Sequence, residues 1–397
     1  FGYYMNLVDN AHETEYETLP DVTVSAPGRF HLIGEHSWFF RDKTLSMAVN
    51  LPVYVAVSLR EDSTLRFYFP QLNDRKRSSL SSLKFRKEDR WANAVKAIVY
   101  GFSSGGFDIK GLNFTIYSDI LPSAGFGITT AIKIGTAVAV NQILGLNCSQ
   151  AQLLQVIERG NRLFLNAGNF LADNYSALYS KKNTLLLTDH SKNTYENIPF
   201  DFEDKVIILT DARVPRISTW DKNIMLEPEN ALLLGDLKEK KANAHGGWVY
   251  SSDSTDINET LSVVSEDLRR RLLCIMYEHN NVMLALDGIA KNSFGMFARA
   301  VNHSHENMRD LYDISCPEID WILKRVGELE PNLEYVRNPV TCGRITGKGF
   351  GRCLYTIMRN QDVEKFNRQL KDYERIFGFH PLSYEVQPSD GVQILES

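Results

Sequence analysis

The stretch Ala26-Pro27-Gly28-Arg29-Phe30-His31-Leu32-Ile33-Gly34-Glu35-His36 decides how the rest of the chain is interpreted. It follows a short β-type run and places Pro, Gly, Arg, Glu and His within eleven positions. Loops so rich in special backbone residues and charges are commonly functional, because a rigid scaffold presents their side chains. We therefore predict a loop that presents Arg29, Glu35 and His36 for chemistry. The structural alternative is an internal salt bridge between Arg29 and Glu35 that caps a strand.

The composition is that of an ordinary globular protein, since 43% of the 397 residues are hydrophobic and 23% are charged. The formal net charge of −5 creates no basic field that would attract nucleic acid or an anionic membrane, and we expect neither as a partner. No segment reaches the roughly 18 uninterrupted apolar residues of a membrane span. The five cysteines include no Cys-x-x-Cys pair, which indicates reduced thiols in a cytoplasmic protein rather than disulfides or zinc.

Hydrophobic periodicity predicts an α+β protein in which strands and helices alternate. Strands are expected at 22–25, 47–59, 65–69, 114–117, 184–188, 206–210, 353–358 and 383–386. Helices are expected at 91–104, 131–144, 151–166, from 171 onward, and at 227–241, 258–290, 294–302, 317–327 and 361–377. Residues 71–90 are polar and are expected to form an exposed loop. The alternation places a boundary between two lobes near residues 200–220.

A second segment, Leu121-Pro122-Ser123-Ala124-Gly125-Phe126-Gly127-Ile128-Thr129-Thr130-Ala131, combines a glycine turn with the start of a helix. Free backbone N–H groups and the positive end of the helix dipole converge at such a place and bind anions. We expect Thr129 and Thr130 at the helix N-cap, where their hydroxyls could ligate magnesium or donate to a phosphate. A plain capped helix is the structural alternative.

A third segment, Gly343-Arg344-Ile345-Thr346-Gly347-Lys348-Gly349-Phe350-Gly351-Arg352-Cys353, interleaves four glycines with Lys and Arg before a strand. A flexible cationic loop of this kind is suited to phosphate handling. Close packing of its backbone against another loop explains the glycines equally well.

Together the three segments resemble the signatures of galactokinases, the sugar-phosphorylating branch of the GHMP small-molecule kinases. Trp91-Ala92-Asn93 is similar to a family stretch whose Trp lies beside the nucleotide base, and Ser304-His305-Glu306-Asn307-Met308-Arg309-Asp310 is similar to a helix of the second lobe. The resemblance covers about residues 20–390. It implies a two-lobed α+β GHMP kinase fold, with an N-terminal lobe at 1–210, a C-terminal lobe at 211–397 and the active site between them.

The resemblance implies an enzyme that transfers the γ-phosphate of ATP, with Mg²⁺, to the anomeric hydroxyl of a hexose, galactose being the leading substrate. Asp173 matches the family's general base, and Arg29 would sit beside it and counter developing charge. Glu35 and His36 fall where family members bind the sugar, as does Asp173. We expect a monomeric cytoplasmic enzyme of carbohydrate metabolism whose partners are a small-molecule sugar and ATP.

The resemblance also assigns nucleotide and metal contacts. Those to the nucleotide fall on Trp91, Gly125, Gly127, Thr129 and Thr130. The metal ligands would be the Thr130 hydroxyl and Asn161, which stands where the family has a Glu. An Asn supplies a carbonyl oxygen to a hard cation but no charge. Glu158, one helical turn earlier, takes this role if the alignment is shifted by three residues.

Other departures cluster on the expected sugar site. Trp38 stands where the family has a sugar-binding Asp; an indole cannot accept a hydrogen bond, although it could stack on a sugar face. We therefore assign Trp38 to the substrate site, with Asp42 as a nearby carboxylate that could substitute. Phe170 replaces a sugar-contacting Gly. In the third segment, Lys348 and Arg352 replace glycines.

A site built to bind hydroxyls rejects the wrong sugar by about 10⁴-fold in favourable cases, so these departures bear directly on which sugar is bound. They leave three alternatives. The protein is a galactokinase with an altered pocket, a kinase of a different sugar, or a non-catalytic paralogue that binds sugar and ATP as a sensor. Retention of both Arg29 and Asp173 favours an enzyme, since a binding protein would not need that pair. Asn161 and the phosphate loop at 125–130, which departs from the family's form, favour the sensor.

Overall fold

The computed structural model describes residues 2–37, 41–120, 125–215, 265–329, 337–347 and 353–395, with the backbone alone for residues 2–6. The chain divides into two compact units whose segments interleave along the sequence. The first consists of Phe1–Phe30, Met47–Leu186 and Pro388–Ser397, and the second of His31–Ser46 and Leu187–Gln387. The sequence predicts a single division after residue 210, and that division into lobes stays a prediction.

Strands and helices alternate within the described residues, as the periodicity predicts. The strands are β1 (Val22–Ile33), β2 (Lys43–Leu59), β3 (Thr64–Phe69), β4 (Asp74–Ser79), β5 (Leu112–Ser118), β6 (Thr184–Asp189), β7 (Thr194–Pro199), β8 (Lys205–Asp211), β9 (Cys342–Ile345), β10 (Cys353–Arg359), β11 (Leu382–Val386) and β12 (Gln393–Leu395). The helices are α1 (Gly2–Tyr16), α2 (Ala92–Ser104), α3 (Ile128–Ile143), α4 (Gln150–Arg159), α5 (Leu171–Tyr179), α6 (Glu266–Ala290), α7 (Phe294–Asp310), α8 (Pro317–Gly327) and α9 (Val363–Phe377).

In the first unit the strands pair in the order β12-β1-β2-β5-β3-β4. β2 runs antiparallel to β5, with Val55 opposite Ile116, and β3 runs parallel to β5. A buried apolar cluster joins this sheet to α2, α3 and α4; it includes Val55 from the sheet and Ile98, Val140 and Val156 from the helices. The elements that carry Arg29, Thr130 and Asp173 therefore rest on one core, which fixes their positions.

β1 runs through most of the stretch expected to be a loop. Strand conformation holds as far as Ile33, and the chain turns only at 34–36. Phe30 is fully buried, so burial of apolar side chains extends the strand beyond the glycine. A Cβ at Gly28 would lie 2.9 Å from a carbonyl oxygen of β2, so only glycine allows this close approach. The loop prediction is therefore wrong for residues 26–33.

The second unit contains an antiparallel four-stranded sheet in the order β11-β8-β10-β9. Its core joins Leu354 of β10 to Leu272 of α6, Ile319 of α8 and Phe366 of α9. Strands β6 and β7 pair with each other, and β6 also pairs with β2 as part of the eight-stranded sheet. Helix α8 begins and ends where the periodicity predicts it, because Pro317 opens the helix and an apolar face at helical spacing continues to Gly327.

One further prediction differs from the structure, and two others fall wholly or partly outside the described residues. Residues 71–90, expected as a loop, include β4, which pairs with β3 and alternates between half-buried and exposed side chains. Polar residues at the edge of a sheet hide this period-two pattern from a hydrophobicity argument. The helix expected at 227–241 lies outside the described residues, as does the start of the one expected at 258–290.

All five cysteines carry free thiols. Burial raises the pKa of the Cys274 and Cys342 thiols, which keeps both protonated and unreactive near neutral pH. Among the described helices, none combines the length and the apolar character needed to cross a membrane.

His12 of α1 is buried between two hydroxyl groups. Its Nδ1 lies 2.8 Å from Thr115 Oγ1, and its Nε2 lies 2.7 Å from Ser58 Oγ. Burial lowers the pKa of His12 to about 4, whereas an unfolded imidazole titrates near 6.5. The unfolded chain therefore binds the proton more readily, and the free energy of unfolding falls as the pH drops from about 6.5 to about 4.

Between pH 7 and pH 4, titration of His12 should lower the free energy of unfolding of the wild type by up to about 3 kcal/mol. We expect His12→Asn to lack this contribution, because an amide does not titrate. Urea unfolding at a series of pH values measures this change. His303→Asn alters an exposed histidine of α7 and is the matched control, which should keep the wild-type slope. Equal slopes for His12→Asn and the wild type would contradict a neutral buried imidazole.

Candidate active site

The first unit brings Arg29 and Asp173 together, although 144 residues separate them in sequence. Arg29 lies on β1, and its Nε donates to Oδ1 of Asp173 at 2.7 Å. Asp173 is the third residue of α5, where unsatisfied N–H groups and the positive helix end attract a carboxylate. Both side chains stay partly exposed, at 11% and 13%. A carboxylate that is ion-paired yet reachable is suited to accept a proton from a substrate hydroxyl.

The start of α3 lies against Arg29. Gly127 precedes this helix with φ +85°, in the left-handed region that favours glycine. A Cβ at Gly127 would lie 3.0 Å from Cγ of Arg29, and the Arg29 N–H donates to the Phe126 carbonyl at 2.9 Å. The guanidinium, the Asp173 carboxylate and an anion-binding helix terminus therefore share one neighbourhood in this unit.

Helix α3 begins earlier than the sequence predicts. Gly127 is its N-cap, so Thr129 and Thr130 are its second and third residues and the N-cap prediction for the threonines is wrong. Ile128 joins the buried core, and its burial extends the helix toward the N-terminus. The main-chain N–H groups of 128–130 have no acceptor within the helix and can face an anion. Thr129 is exposed and Thr130 is buried, and their contacts to a nucleotide stay predictions.

Trp91 lies just before α2. Its indole Nε1 donates to Oδ2 of Asp74 at 2.9 Å, and its ring meets Phe69 edge-on at 5.3 Å between centroids. The indole is half-buried, as is Gly125 before α3. The position of Trp91 beside a nucleotide base and the phosphate contact of Gly125 stay predictions.

The Asn161 amide is engaged by protein groups, and its assignment to a metal ion stays a prediction. Its Oδ1 accepts from Nζ of Lys133 at 2.7 Å, and its Nδ2 donates to Oδ1 of Asn169 at 3.0 Å. The amide oxygen that the resemblance assigns to a metal therefore faces an ammonium group, which repels a cation. Glu158 forms an ion pair with Arg162 at 2.6 Å on the helix surface. The described residues also hold no cluster of three or more His, Cys, Asp or Glu side chains able to bind a metal.

In the second unit, Glu35 is paired with an arginine whose role the sequence analysis missed. Nη1 of Arg344, on β9, donates to Oε2 of Glu35 at 3.0 Å, and Nη2 donates to Oε1. The two side chains are 0% and 3% exposed. Burial alone would raise the pKa of Glu35, but Arg344 lowers it to about 2. The alternative of a salt bridge between Arg29 and Glu35 is wrong, since each has a different partner.

Further groups surround the Arg344 guanidinium. Its Nε donates to Ser304 Oγ at 2.6 Å, and its Nη2 lies 3.4 Å from Oε2 of Glu278. Burial raises the pKa of Glu278, and Arg344 offsets part of that effect. A Cβ at Gly343 would lie 2.4 Å from a methyl carbon of Leu323. Close packing, rather than phosphate handling, therefore explains this part of the third segment, while 348–352 lie outside the described residues.

The remaining sugar-site residues are only partly described. His36 is buried with its ring 5.0 Å from that of Tyr312, and burial lowers the pKa of His36 to about 4. Its Nε2 has no hydrogen-bond partner among the described residues. Trp38 lies outside them. Asp42 is buried, and its Oδ1 accepts from Nδ1 of His279 at 2.8 Å, so this carboxylate is anchored inside the second unit.

We expect Glu35→Gln to lower the free energy of unfolding by about 3 kcal/mol, because it removes the main counter-charge of a buried guanidinium. Arg344→Met should cost at least as much, since it leaves Glu35 and Glu278 buried without a cation. The double variant should cost less than the sum of the two. Urea unfolding at pH 7 measures all three losses. At this pH Glu35 is ionised, because its protonation removes the stabilisation only between about pH 4.5 and pH 2.

The matched control is Arg309→Met, which breaks a neighbouring ion pair to Asp310 that is 44% and 58% exposed. It should change the free energy of unfolding by no more than about 1 kcal/mol, because solvent screens exposed pairs. A loss at Glu35→Gln no larger than this control would contradict a structural role for the buried pair.

Comparisons with known proteins agree with this geometry. Residues 10–59 match the galactokinase galactose-binding signature, and residues 92–181 match the N-terminal domain of GHMP kinases. The chain is 38% identical over 395 residues to the Treponema pallidum (strain Nichols) protein named "Putative galactokinase", covering 98% of this chain and 97% of that one. It is 25% identical to the galactokinase of Thermotoga maritima, covering 93% and 99% of the two chains.

Solved structures confirm the predicted fold. The crystal structure of Lactococcus lactis galactokinase complexed with galactose matches with a TM-score of 0.83 at 20% identity, covering 99% of this chain and 100% of that one. Mevalonate kinase from Methanococcus jannaschii matches with a TM-score of 0.62 at 15% identity, covering 93% and 98%. With a GHMP kinase fold and 38% identity along nearly its whole length to one relative, this chain belongs to the galactokinase family.

Proposed function

We propose that the protein transfers the γ-phosphoryl group of ATP to the anomeric hydroxyl of a hexose, with galactose as the first candidate. The observation that carries this proposal is the Arg29–Asp173 ion pair beside the N-terminus of α3. It supplies a base, a cation and an anion-binding helix terminus in one place, and phosphoryl transfer depends mainly on positioning and charge stabilisation. Membership of the galactokinase family supports the same reaction.

The proposed reaction is an in-line displacement at the γ-phosphorus. The anomeric oxygen forms the new P–O bond while the bond to the β-phosphate oxygen breaks and ADP leaves. The hydroxyl proton passes to the Asp173 carboxylate. Arg29 Nε fixes one oxygen of that carboxylate at 2.7 Å and places a positive charge beside the developing negative charge.

We propose that the phosphates lie at the first turn of α3, with Gly125, Gly127, Thr129 and Thr130 around them. Helix N-termini bind phosphate through free N–H groups and the helix dipole. Trp91 would lie beside the base. Magnesium that accompanies ATP belongs to the substrate in this proposal, because the residues around Asn161 do not fit a resident cation.

On the sugar side, we propose that His36 binds a hydroxyl and that Trp38 stacks on the ring. The buried Nε2 of His36 supports this, because a buried imidazole nitrogen is normally hydrogen-bonded and this one has no partner among the described residues. The burial-lowered pKa of His36 keeps the ring neutral at pH 7, so it can both donate and accept. Glu35 would contact the sugar from the position in which Arg344 holds it.

We expect Asp173→Asn to lower kcat by about 10² to 10⁴-fold, which is the usual contribution of a general base. KM for the sugar should change much less, since the amide keeps the size of the side chain. ADP release from ATP with galactose, other hexoses, a uronic acid and a pentose measures the rate and identifies the substrate.

Asp108→Asn is the matched control, since it changes an exposed aspartate of the same unit and should leave kcat unaltered. Turnover by Asp173→Asn at the wild-type rate would exclude Asp173 as the base. Tight ATP binding without turnover of any sugar in the panel would overturn the kinase assignment in favour of a sensor.

A further inference from the structure

A chain of polar side chains in the first unit connects α3 to the residue beside Asp173. Nζ of Lys133 lies 2.7 Å from Oδ1 of Asn161, and Nδ2 of Asn161 donates to Oδ1 of Asn169 at 3.0 Å. The same Asn169 oxygen accepts from Nδ2 of Asn174 at 3.0 Å. Asn174 follows Asp173 in α5. These side chains therefore link α3, which begins at the proposed phosphate site, to the residue that follows the proposed base.

The hydrogen bonds fix the orientation of Asn161. Its side chain is 4% exposed and lies on a π-helical turn, Gly160–Phe164, that continues α4. Because Asn169 offers an acceptor, the Asn161 amide must present its NH₂ group there and its oxygen to Lys133. A Cβ at Gly160 would lie 2.5 Å from the Ala97 carbonyl oxygen, so this turn packs tightly on α2. Asn161 thus holds the ammonium from a rigid position.

Lys133 lies one helical turn after Thr129 and Thr130. Residues three and four apart share a face of a helix, and helical side chains lean toward the N-terminus. Lys133 therefore shares a face of α3 with Thr129 and Thr130, in the first turn, where the phosphates are proposed to lie. The hydrogen bond to Asn161 holds this ammonium in a fixed position.

We propose that Lys133, held by the positioning residue Asn161, provides the positive charge that a protein-bound divalent cation would otherwise provide at the nucleotide phosphates. This inference rests on the proposed function, since it names how that site holds ATP. The protein itself gives a divalent cation no carboxylate ligand at Asn161, and an ammonium occupies the approach to the amide oxygen. Nucleotide binding should therefore tolerate the removal of magnesium.

The test measures ATP affinity by calorimetry, with magnesium and with excess EDTA. Wild-type protein should bind metal-free ATP within about threefold of its affinity for MgATP. Lys133→Met should weaken the binding of metal-free ATP by about 10 to 100-fold, the usual cost of losing a hydrogen bond to a charged group. Lys133→Arg keeps the charge and should lose less than about tenfold. Lys110→Met, an exposed lysine of the same unit, should bind as the wild type does.

A double variant, Lys133→Met with Asn161→Glu, replaces the ammonium with a carboxylate and should make binding depend on metal. We expect it to bind MgATP at least about tenfold more tightly than metal-free ATP. Electron paramagnetic resonance of Mn²⁺ titrated with protein and ADP reads the metal directly and should show a tighter ternary complex than in the wild type. Unfolding midpoints near that of Lys110→Met establish that each variant is folded.

Wild-type binding that falls about 100-fold or more with EDTA would overturn this inference and leave the proposed kinase standing. A folded Lys133→Met that binds metal-free ATP as the wild type does would overturn it as well. Absence of ATP binding in either condition would overturn the proposed function together with the inference.

Discussion

The fully buried guanidinium of Arg344 is the constraint on which the second unit depends. A charge without access to water is tolerated only where its hydrogen bonds and counter-charges are supplied by the protein. Glu35, Ser304 and Glu278 supply them, from a turn and two helices that are far apart in sequence. Two carboxylates share this cation: Arg344 lowers the pKa of Glu35, whereas burial raises that of Glu278 and Arg344 offsets only part of the effect. The position of Glu35 follows from this arrangement.

Cations determine the geometry of the first unit in the same way. Arg29 fixes the carboxylate of Asp173, and Lys133 fixes the amide of Asn161. Each pair joins a helix to a neighbouring element. Because phosphoryl transfer gains little from covalent chemistry, fixed charges of this kind are the main contribution that a protein can make to it.

Local sequence patterns predicted those structural features that depend on residues close together along the chain. Helix 317–327 and the fold itself followed from periodicity and from three signatures, and both are confirmed. The strand through residues 26–33 and the cap at Gly127 were missed, because tertiary burial and one left-handed glycine override local preference. The partner of Glu35 was also missed, since 309 residues separate it from Arg344 and no local pattern encodes such a pairing.

The charge at Lys133 and the neutrality of Asn161 belong together. In the arrangement that the family resemblance implies, a Glu and a divalent cation together contribute a net charge of about +1 next to the phosphates. In the inference drawn above, the neutral Asn161 and the Lys133 ammonium would contribute the same net charge without a protein-bound metal. A carboxylate at position 161 would neutralise the Lys133 ammonium, whereas the neutral Asn161 amide orients it without cancelling its charge. The 2.7 Å contact between Lys133 and Asn161 is what couples the position of the ammonium to the amide.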